Sequence, residues 1–144
     1  VQGHPRPHRS VQGRGAERIT GMADKQTYAE IADVIKTYVE GMCENDPAKL
    51  RRAMHERMCC IGHFQGGLEW DSRDAFIAGV DKAFDTPDPA PWYAINTISV
   101  FGDVAMVQVE NIWLGDHYDD TLTLLHHAGR WVIVSKVFYL RPEK

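Results

Sequence analysis

The pattern of hydrophobic and polar positions divides the chain into an N-terminal part with helical spacing and a C-terminal part with strand spacing. Between residues 25 and 45 the hydrophobic residues recur on one face of a helix, at Tyr28, Ile31, Ala32, Ile35, Tyr38, Val39 and Met42. The sequence Asn45-Asp46-Pro47 interrupts this spacing, and Asp46 can cap a second, short helix that begins at Pro47. We therefore expect two helices that meet at a corner.

A short apolar stretch at 58–64, followed by a glycine-rich turn at 65–67, predicts a small β-hairpin. Ser72 is a suitable N-cap for a third helix over 73–84, because its hydroxyl can accept a hydrogen bond from a backbone N–H of the first turn. The buried face of this helix is predicted to contain Phe76, Ile77, Val80 and Phe84. The segment that follows contains three prolines and is predicted to be a loop.

The chain after this loop consists of apolar stretches with the composition of β-strands, separated by short turn sequences. Turns of glycine and aspartate separate strands predicted over 92–101 and 104–114. The last stretch, 116–140, predicts one long hairpin around a turn at 127–130. Helices followed by an antiparallel meander indicate a fold of the α+β class.

The longest predicted strands are apolar on both faces, as at 104–109 and 131–134. An antiparallel sheet with one face in water would alternate more clearly between apolar and polar residues. We therefore predict that the chain's own helices cover one face of the sheet. The other face is predicted to pack against a second copy of the chain, which gives a homodimer through the outer face of the sheet.

The composition is that of one globular domain, with 144 residues of which 44% are hydrophobic and 25% are charged. The three cysteines, Cys43, Cys59 and Cys60, match neither a disulfide framework nor a zinc site, so a reduced, cytoplasmic protein is expected. No apolar stretch approaches the roughly 20 residues that span a bilayer, so no membrane partner is expected.

The first 21 residues have no hydrophobic periodicity and contain two copies of Val-Gln-Gly. We predict a disordered tail over 1–21, either added by cloning or a natural upstream extension, and a single domain over 22–144. The tail contains four arginines and one glutamate, so the net charge of −4 conceals a more acidic domain. An acidic domain disfavours nucleic-acid binding, which relies on a basic surface.

The turn of the last hairpin determines whether Asp120 and Lys136 share a face of the sheet. A three-residue loop with Gly129 left-handed places them directly opposite each other, whereas a two-residue turn at Ala128-Gly129 places them on opposite faces. Alanine is a poor occupant of a position with positive φ, which favours the three-residue loop. An exposed Asp–Lys pair would contribute roughly 0.2–1 kcal/mol. Inside a pocket, burial could shift the pKa values of the pair and let Asp120 accept a proton or anchor a ligand.

The order of the elements resembles the nuclear transport factor 2-like (cystatin-like) superfamily, most closely its putative lumazine-binding and SnoaL-like families. Four pieces of sequence carry the resemblance and together cover 28–139: Tyr38-Val39-Glu40-Gly41 with Asn45-Asp46; Ala53-Met54-His55; Gly62-His63 with Gly66-Gly67-Leu68; and the segment from Asp120 through Gly129-Arg130-Trp131 to Lys136-Val137-Phe138. At Glu56-Arg57 the sequence departs from the family pattern, which more often has proline and a small residue. The resemblance implies a cone-shaped fold in which N-terminal helices pack on a curved, mainly antiparallel sheet, with a pocket between them.

No motif in the sequence names a reaction. The chain lacks a phosphate-binding loop, a nucleophile elbow and the ligand spacing of a metal site, so no cofactor and no metal are expected. The first hypothesis is a protein that binds a small molecule in the pocket. The alternative is a cofactor-independent isomerase, dehydratase or cyclase that uses acid–base chemistry there.

The catalytic alternative has Asp120 as base, with Tyr118 and His55 as hydrogen-bond donors. His55 is predicted to end the second helix, where a histidine also serves as a cap or a core residue. Trp113 and Glu110 point to opposite faces of their strand, so at most one of them is predicted to face the pocket. The candidate ligand-binding residues are His63, Trp113, Lys136 and Phe138.

Overall fold

Three helices pack on one face of a six-stranded sheet, in a computed structural model that describes the backbone of residues 10–143 and the side chains of residues 25–143. The elements are α1 (Ser10–Glu44), α2 (Pro47–Ala53), β1 (Met54–Phe64), β2 (Gly67–Ser72), α3 (Arg73–Ala83), β3 (Tyr93–Phe101), β4 (Val104–Trp113), β5 (Asp116–His127) and β6 (Arg130–Leu140). The strand order is β2-β1-β6-β5-β4-β3. Every neighbouring pair is antiparallel except β1 and β6, which are parallel. The predicted α+β class is confirmed.

The corner between α1 and α2 forms as the sequence predicts. The Asp46 carboxylate accepts hydrogen bonds from the backbone N–H groups of Ala48 and Lys49, at 3.0 and 3.2 Å. Such an N-cap stabilises a helix by about 1 kcal/mol. Asn45 takes a left-handed φ of 51°, which ends α1 and turns the chain.

Helix α1 begins at Ser10, whereas the periodicity of the sequence begins at Lys25. The helix therefore includes residues 10–21, and the division of the chain into a tail over 1–21 and a domain over 22–144 stays a prediction. Residues 1–9 lie outside the described residues, where the tail stays a prediction. Within the described helices, no segment is long and apolar enough to cross a membrane.

The small hairpin and the third helix also match the prediction. Gln65 and Gly66 form a two-residue turn with φ angles of 50° and 83°, and the Ser72 hydroxyl accepts a hydrogen bond from the N–H of Ala75 at 3.2 Å. The start of the hairpin differs, because β1 begins at Met54. His55 consequently lies in β1, and the prediction that it ends the second helix is wrong.

The turn of the last hairpin is the two-residue form, so the predicted three-residue loop is wrong. His127 pairs with Arg130, and the two residues between them have left-handed φ angles of 52° at Ala128 and 82° at Gly129. Tight turns of this kind match the twist of the two strands. That match outweighs the poor tolerance of alanine for positive φ.

A β-bulge in β6 then changes the register. Leu124 pairs with Ile133, but the preceding Thr123 pairs with Ser135, so Val134 is an extra residue without a partner. One extra residue on one strand reverses the faces that its later side chains occupy. The bulge therefore undoes the effect that the short turn would have on the rest of β6.

Beyond the bulge, Leu122 pairs with Lys136 and Asp120 pairs with Phe138. Side chains two residues apart on a strand share a face, so Asp120 and Lys136 lie on the same face, diagonal to each other. This is the inner face, which packs against the helices. The predicted shared face is correct, but it results from the bulge and not from the turn.

The core fills the space between the helices and the inner face of the sheet. Its fully buried side chains include Ile31, Ile35, Tyr38, Leu50, Met54, Met58, Val107, Val109, Leu122, Leu124 and Ile133. Gly62 of β1 lies against the ring of Phe138, and a Cβ atom at this position would be 2.6 Å from that ring. The ring and the strand backbone can approach so closely only because residue 62 has no side chain.

The substitution Gly62→Ala is expected to lower the free energy of unfolding by about 1–3 kcal/mol, since the added methyl group overpacks the core against Phe138. Urea denaturation measures this change. The matched control is Gly79→Ala in α3, where a Cβ atom meets nothing within 4 Å. The control should raise stability by about 0.5–1 kcal/mol through helix propensity. Equal effects of the two substitutions would contradict the packing of Phe138 on Gly62.

Candidate functional site

A cavity of about 180 Å³ lies between α3, the small hairpin and the inner face of the sheet. Its lining residues are Met42, Cys60, Phe64, Glu69, Asp71, Phe76, Gly79, Val80, Ala83, Asn111, Trp113, Tyr118, Lys136 and Phe138. An apolar protein cavity of roughly 150 Å³ can hold benzene. The cavity therefore has room for an aromatic ring with small substituents.

Most of the cavity wall is apolar and aromatic. Phe76 and Val80 of α3 face Phe138 of β6, whose ring meets the ring of Tyr118 edge-on at 5.9 Å between centroids. The indole of Trp113 is held in place because its Nε1–H donates a hydrogen bond to the carbonyl of Met42 at 3.2 Å. Fixed aromatic walls of this kind suit a flat ligand.

Lys136 places a cationic group in this apolar wall, and only 4% of the residue is exposed. Its Nζ lies over three aromatic rings, 4.5 Å from the centroid of Phe76, 5.1 Å from Tyr38 and 5.7 Å from Phe138. We call these three rings the aromatic cage. Each cation–π contact of this kind contributes about 0.5–2 kcal/mol. Within the described part of the chain, no carboxylate oxygen lies within 4.0 Å of Nζ.

Asp120 is fully buried directly behind the cavity wall. Its Oδ2 accepts hydrogen bonds from the hydroxyl of Tyr38 at 2.8 Å and from the amide of Asn111 at 2.9 Å. Its Oδ1 has no hydrogen-bond partner among the described residues. Burial, and then the negative charge of Asp120, raise the pKa of Tyr38 well above its ordinary value. The Tyr38 hydroxyl therefore stays protonated and remains a donor to the carboxylate.

Tyr118 is buried and lines the cavity. Burial is the largest cause that raises the pKa of its hydroxyl to about 12, and the negative charges of Asp116 and Asp120 add to it. The phenol is therefore neutral at physiological pH. It can donate a hydrogen bond to a ligand oxygen or nitrogen in the cavity.

Four of the residues predicted for the site line this one cavity, namely Trp113, Tyr118, Lys136 and Phe138. Asp120 lies next to them, one layer behind the wall. Of the two residues of β4 that cannot share a face, Trp113 faces the cavity and Glu110 lies on the opposite, outer face. The prediction that at most one of them faces the pocket is in accord with this arrangement.

The structure does not bring the two predicted histidines to the cavity. The ring of His55 lies 5.7 Å from the ring of His127, beside the turn between β5 and β6, and its Nδ1 accepts a hydrogen bond from the N–H of Arg57. His63 is exposed near the tip of the small hairpin, where it pairs with Leu68. Neither belongs to the cavity wall, because β1 turns both side chains away from it.

Tyr38, Phe76 and Asn111 are among the residues of the site that were not predicted as such. Tyr38 and Phe76 fall on the helix faces that the periodicity assigns to the core, and nothing in the sequence shows that these faces also surround a lysine. The inward position of Asn111 could have been predicted from the sequence. It lies two residues before Trp113 in an apolar strand, so the period of two places a polar side chain on the same inward face.

A separate charged cluster occupies the outer face of the sheet. Ligand atoms of Glu110, His117 and Asp119 lie within 4.8 Å of one another, a spacing that could hold a cation. The guanidinium of Arg141 already binds both carboxylates, at 2.6 Å to Glu110 and at 2.7 and 2.9 Å to Asp119. The cluster is therefore an ion-pair network, and Glu110 and Asp119 are direct neighbours across β4 and β5.

The ion-pair network makes the effect of Arg141→Gln on stability dependent on pH. Asn96 and then His117 and Arg141 lower the pKa of Glu110, and Arg141 lowers the pKa of Asp119. A lowered folded-state pKa stabilises the fold above the ordinary values of 4.5 and 3.8, and this stabilisation is lost as the pH falls below them. The melting temperatures of the wild type and of Arg141→Gln should differ most at neutral pH and converge in acid. A difference independent of pH would contradict the network.

Comparison with known proteins identifies the family of the chain. The model of the putative lumazine-binding family matches residues 26–139. An NTF2-like protein of unknown function from Silicibacter pomeroyi DSS-3 is 42% identical, with a TM-score of 0.78 over 82% of this chain and 98% of that chain. Another from Shewanella baltica OS155 is 26% identical, with a TM-score of 0.75 over 82% and 96% of the two chains.

A third NTF2-like protein of unknown function, from Methylobacillus flagellatus KT, shares the fold at 23% identity, with a TM-score of 0.74 over 81% of this chain and 94% of that chain. No curated protein matches the chain. The family match covers α1 from Gln26 onward, α2, α3, the cavity and the whole sheet except its last residue. The chain belongs to the putative lumazine-binding family and has the NTF2-like fold.

Proposed function

We propose that the protein binds a small aromatic molecule in the cavity between α3 and the inner face of the sheet. The observation that carries the proposal is the wall itself, in which fixed aromatic rings surround two buried polar groups, the Lys136 ammonium and the Tyr118 hydroxyl. Small-molecule sites combine an apolar wall with a few polar groups in this way. The description of the family, putative lumazine-binding, supports a fused heterocycle as one ligand to test.

The position of Asp120 favours binding over acid–base catalysis. A general base must come within hydrogen-bond reach of the proton that it removes. Asp120 is not one of the residues that line the cavity, and its Oδ2 accepts hydrogen bonds from two protein donors. The second predicted donor, His55, is at the far end of β5 and β6 from Tyr118. These positions separate the groups that a cofactor-independent isomerase, dehydratase or cyclase would need together.

A substitution at Gly79 tests binding in the cavity. Gly79 lines the cavity, and a Cβ atom there meets nothing within 4 Å. Gly79→Leu should fill the cavity and leave the helix intact, since leucine is a better helix former than glycine. Ala78→Leu is the matched control, because Ala78 is exposed on the same helix and is not part of the wall.

The measurement is the rise in melting temperature on addition of lumazine, or of benzamide as a smaller ring. A ligand that binds only the folded state stabilises it by about 2.7 kcal/mol at one hundred times its dissociation constant. We expect at least one of the two to raise the melting temperature of the wild type and of Ala78→Leu, but not of Gly79→Leu. No shift with either compound, or an equal shift in all three proteins, would contradict binding in this cavity.

We also propose that two copies of the chain pair through the outer face of the sheet. Two strands on either side of β5 expose hydrophobic side chains there, with Met106 of β4 at 42% and Val137 and Tyr139 of β6 at 46% and 58% exposure. A two-fold axis through this face would pack the same residues of both copies against each other. Val137→Glu should then abolish the dimer. Sedimentation velocity that shows a monomer for the wild type at micromolar concentration would contradict the proposal.

A further inference from the structure

A cavity that binds only apolar rings would leave the Lys136 ammonium without a strong hydrogen-bond acceptor. A lysine ammonium has three N–H donors. Around Nζ the described residues supply three ring faces and the sulfur of Met42 at 4.0 Å, which is a weak acceptor. The aromatic cage offsets part of the cost of burying the charge, but it accepts no conventional hydrogen bond. The ammonium therefore presents unused donors next to the cavity.

The nearest buried carboxylate is held away from this ammonium. Asp120 lies diagonal to Lys136 across β5 and β6, and Tyr38 stands between the two charges. The Tyr38 ring faces Nζ, while its hydroxyl donates to Asp120. Asn111 donates to the same oxygen. Asp120 thus takes its hydrogen bonds from neutral donors, and the positive charge of Lys136 is left for a group inside the cavity.

The distribution of charges in the wall determines how an anionic ligand would be oriented in the cavity. Lys136 is the only cation among the lining residues, and it lies on the inner face of the sheet. Glu69 and Asp71 of β2 are half-exposed, so water screens their repulsion of an anion far more than it screens a contact at buried Lys136. A ligand with one negative group would therefore place that group at Lys136 and its uncharged end toward β2.

We propose that Lys136 binds a carboxylate carried by the ligand, so that the cavity accepts small aromatic acids in preference to neutral rings. The single positive charge of Lys136 balances the single negative charge of a carboxylate. The wall contains no arginine and no second lysine to balance the two charges of a phosphate monoester. The Tyr118 hydroxyl can donate a further hydrogen bond to the same ligand. This inference rests on the proposed function, because it names the chemical class that the binding cavity selects.

The test compares benzoate with benzamide, which have nearly the same shape and differ in charge. Dissociation constants are measured by NMR titration of the full chain at low ionic strength. We expect the wild type to bind benzoate at least about tenfold more tightly than benzamide, as a charge-assisted contact in a buried site allows. Lys136→Met should lose this preference, chiefly through weaker binding of benzoate. Lys82→Met removes an exposed lysine outside the wall and should keep the preference.

The outcomes separate this inference from the proposed function. Equal affinities of the wild type for the two compounds would overturn the inference and leave binding in the cavity intact. An unchanged preference for benzoate in Lys136→Met would also overturn it, because the carboxylate would then bind elsewhere. If neither compound bound the wild type, the inference would fail together with the proposed function. The comparison within the wild type decides the question even if Lys136→Met fails to fold.

Discussion

Phe138→Ala is expected to lower the free energy of unfolding by about 3–5 kcal/mol, the range for removal of a buried aromatic ring. The Phe138 ring contacts three parts of the site at once. It packs on the backbone at Gly62, meets the ring of Tyr118 edge-on and forms one wall of the aromatic cage around Lys136. Its loss would leave space on each side, which the surrounding strands can fill only in part.

The matched control is Phe101→Ala. Phe101 has the same side chain but is 68% exposed at the turn between β3 and β4. A surface substitution of this kind changes stability by less than about 0.5 kcal/mol. Urea denaturation of both variants measures the difference. If Phe138→Ala were as mild as Phe101→Ala, the packing described around the cavity would be wrong.

Tyr38→Phe is expected to destabilise the fold by about 1–3 kcal/mol, although it removes a single oxygen atom. Among the side chains that the structure describes, the hydroxyl is one of two donors to the buried carboxylate of Asp120, and Asn111 is the other. Without it, Oδ2 keeps one hydrogen bond, and Oδ1 has none among the described residues. A buried charge that loses a partner costs more than the lost hydrogen bond contributes, because the group cannot regain water.

Tyr28→Phe is the control for this prediction, since Tyr28 lies on the same helix and is partly exposed. It should change the free energy of unfolding by less than about 0.5 kcal/mol. A double-mutant cycle of Tyr38→Phe with Asp120→Asn isolates the interaction between the two side chains. Additive effects of the two substitutions would show that the hydroxyl does not stabilise the carboxylate.

The helices and strands could be predicted from the sequence because each has a local signal. Asp46 and Ser72 cap their helices as expected, and the apolar periods identify the faces that form the core. The start of β1 has a weaker signal in the sequence. Met54 follows directly on the last residue of α2, so no turn residue marks the boundary and His55 is easily assigned to the helix.

The register of the last hairpin could not be predicted, because it depends on two features that offset each other. Ala128 adopts a positive φ that its side chain disfavours, and Val134 bulges out of an apolar run that has no alternation to reveal the bulge. Each feature alone would place Asp120 and Lys136 on opposite faces, and together they restore a shared face. The aromatic cage depends on tertiary packing, since its rings come from α1, α3 and β6.

The indole N–H signals of the four tryptophans test most directly whether the cavity binds a small molecule. Trp113 lines the cavity, whereas Trp70 and Trp92 are exposed and Trp131 packs at the far end of the sheet. The chain, labelled with ¹⁵N, is titrated with lumazine and with benzoate in turn. We expect at least one of them to shift the Trp113 signal and leave the other three in place. A Trp113 signal that stays unmoved by both compounds at millimolar concentration would contradict the proposed binding site.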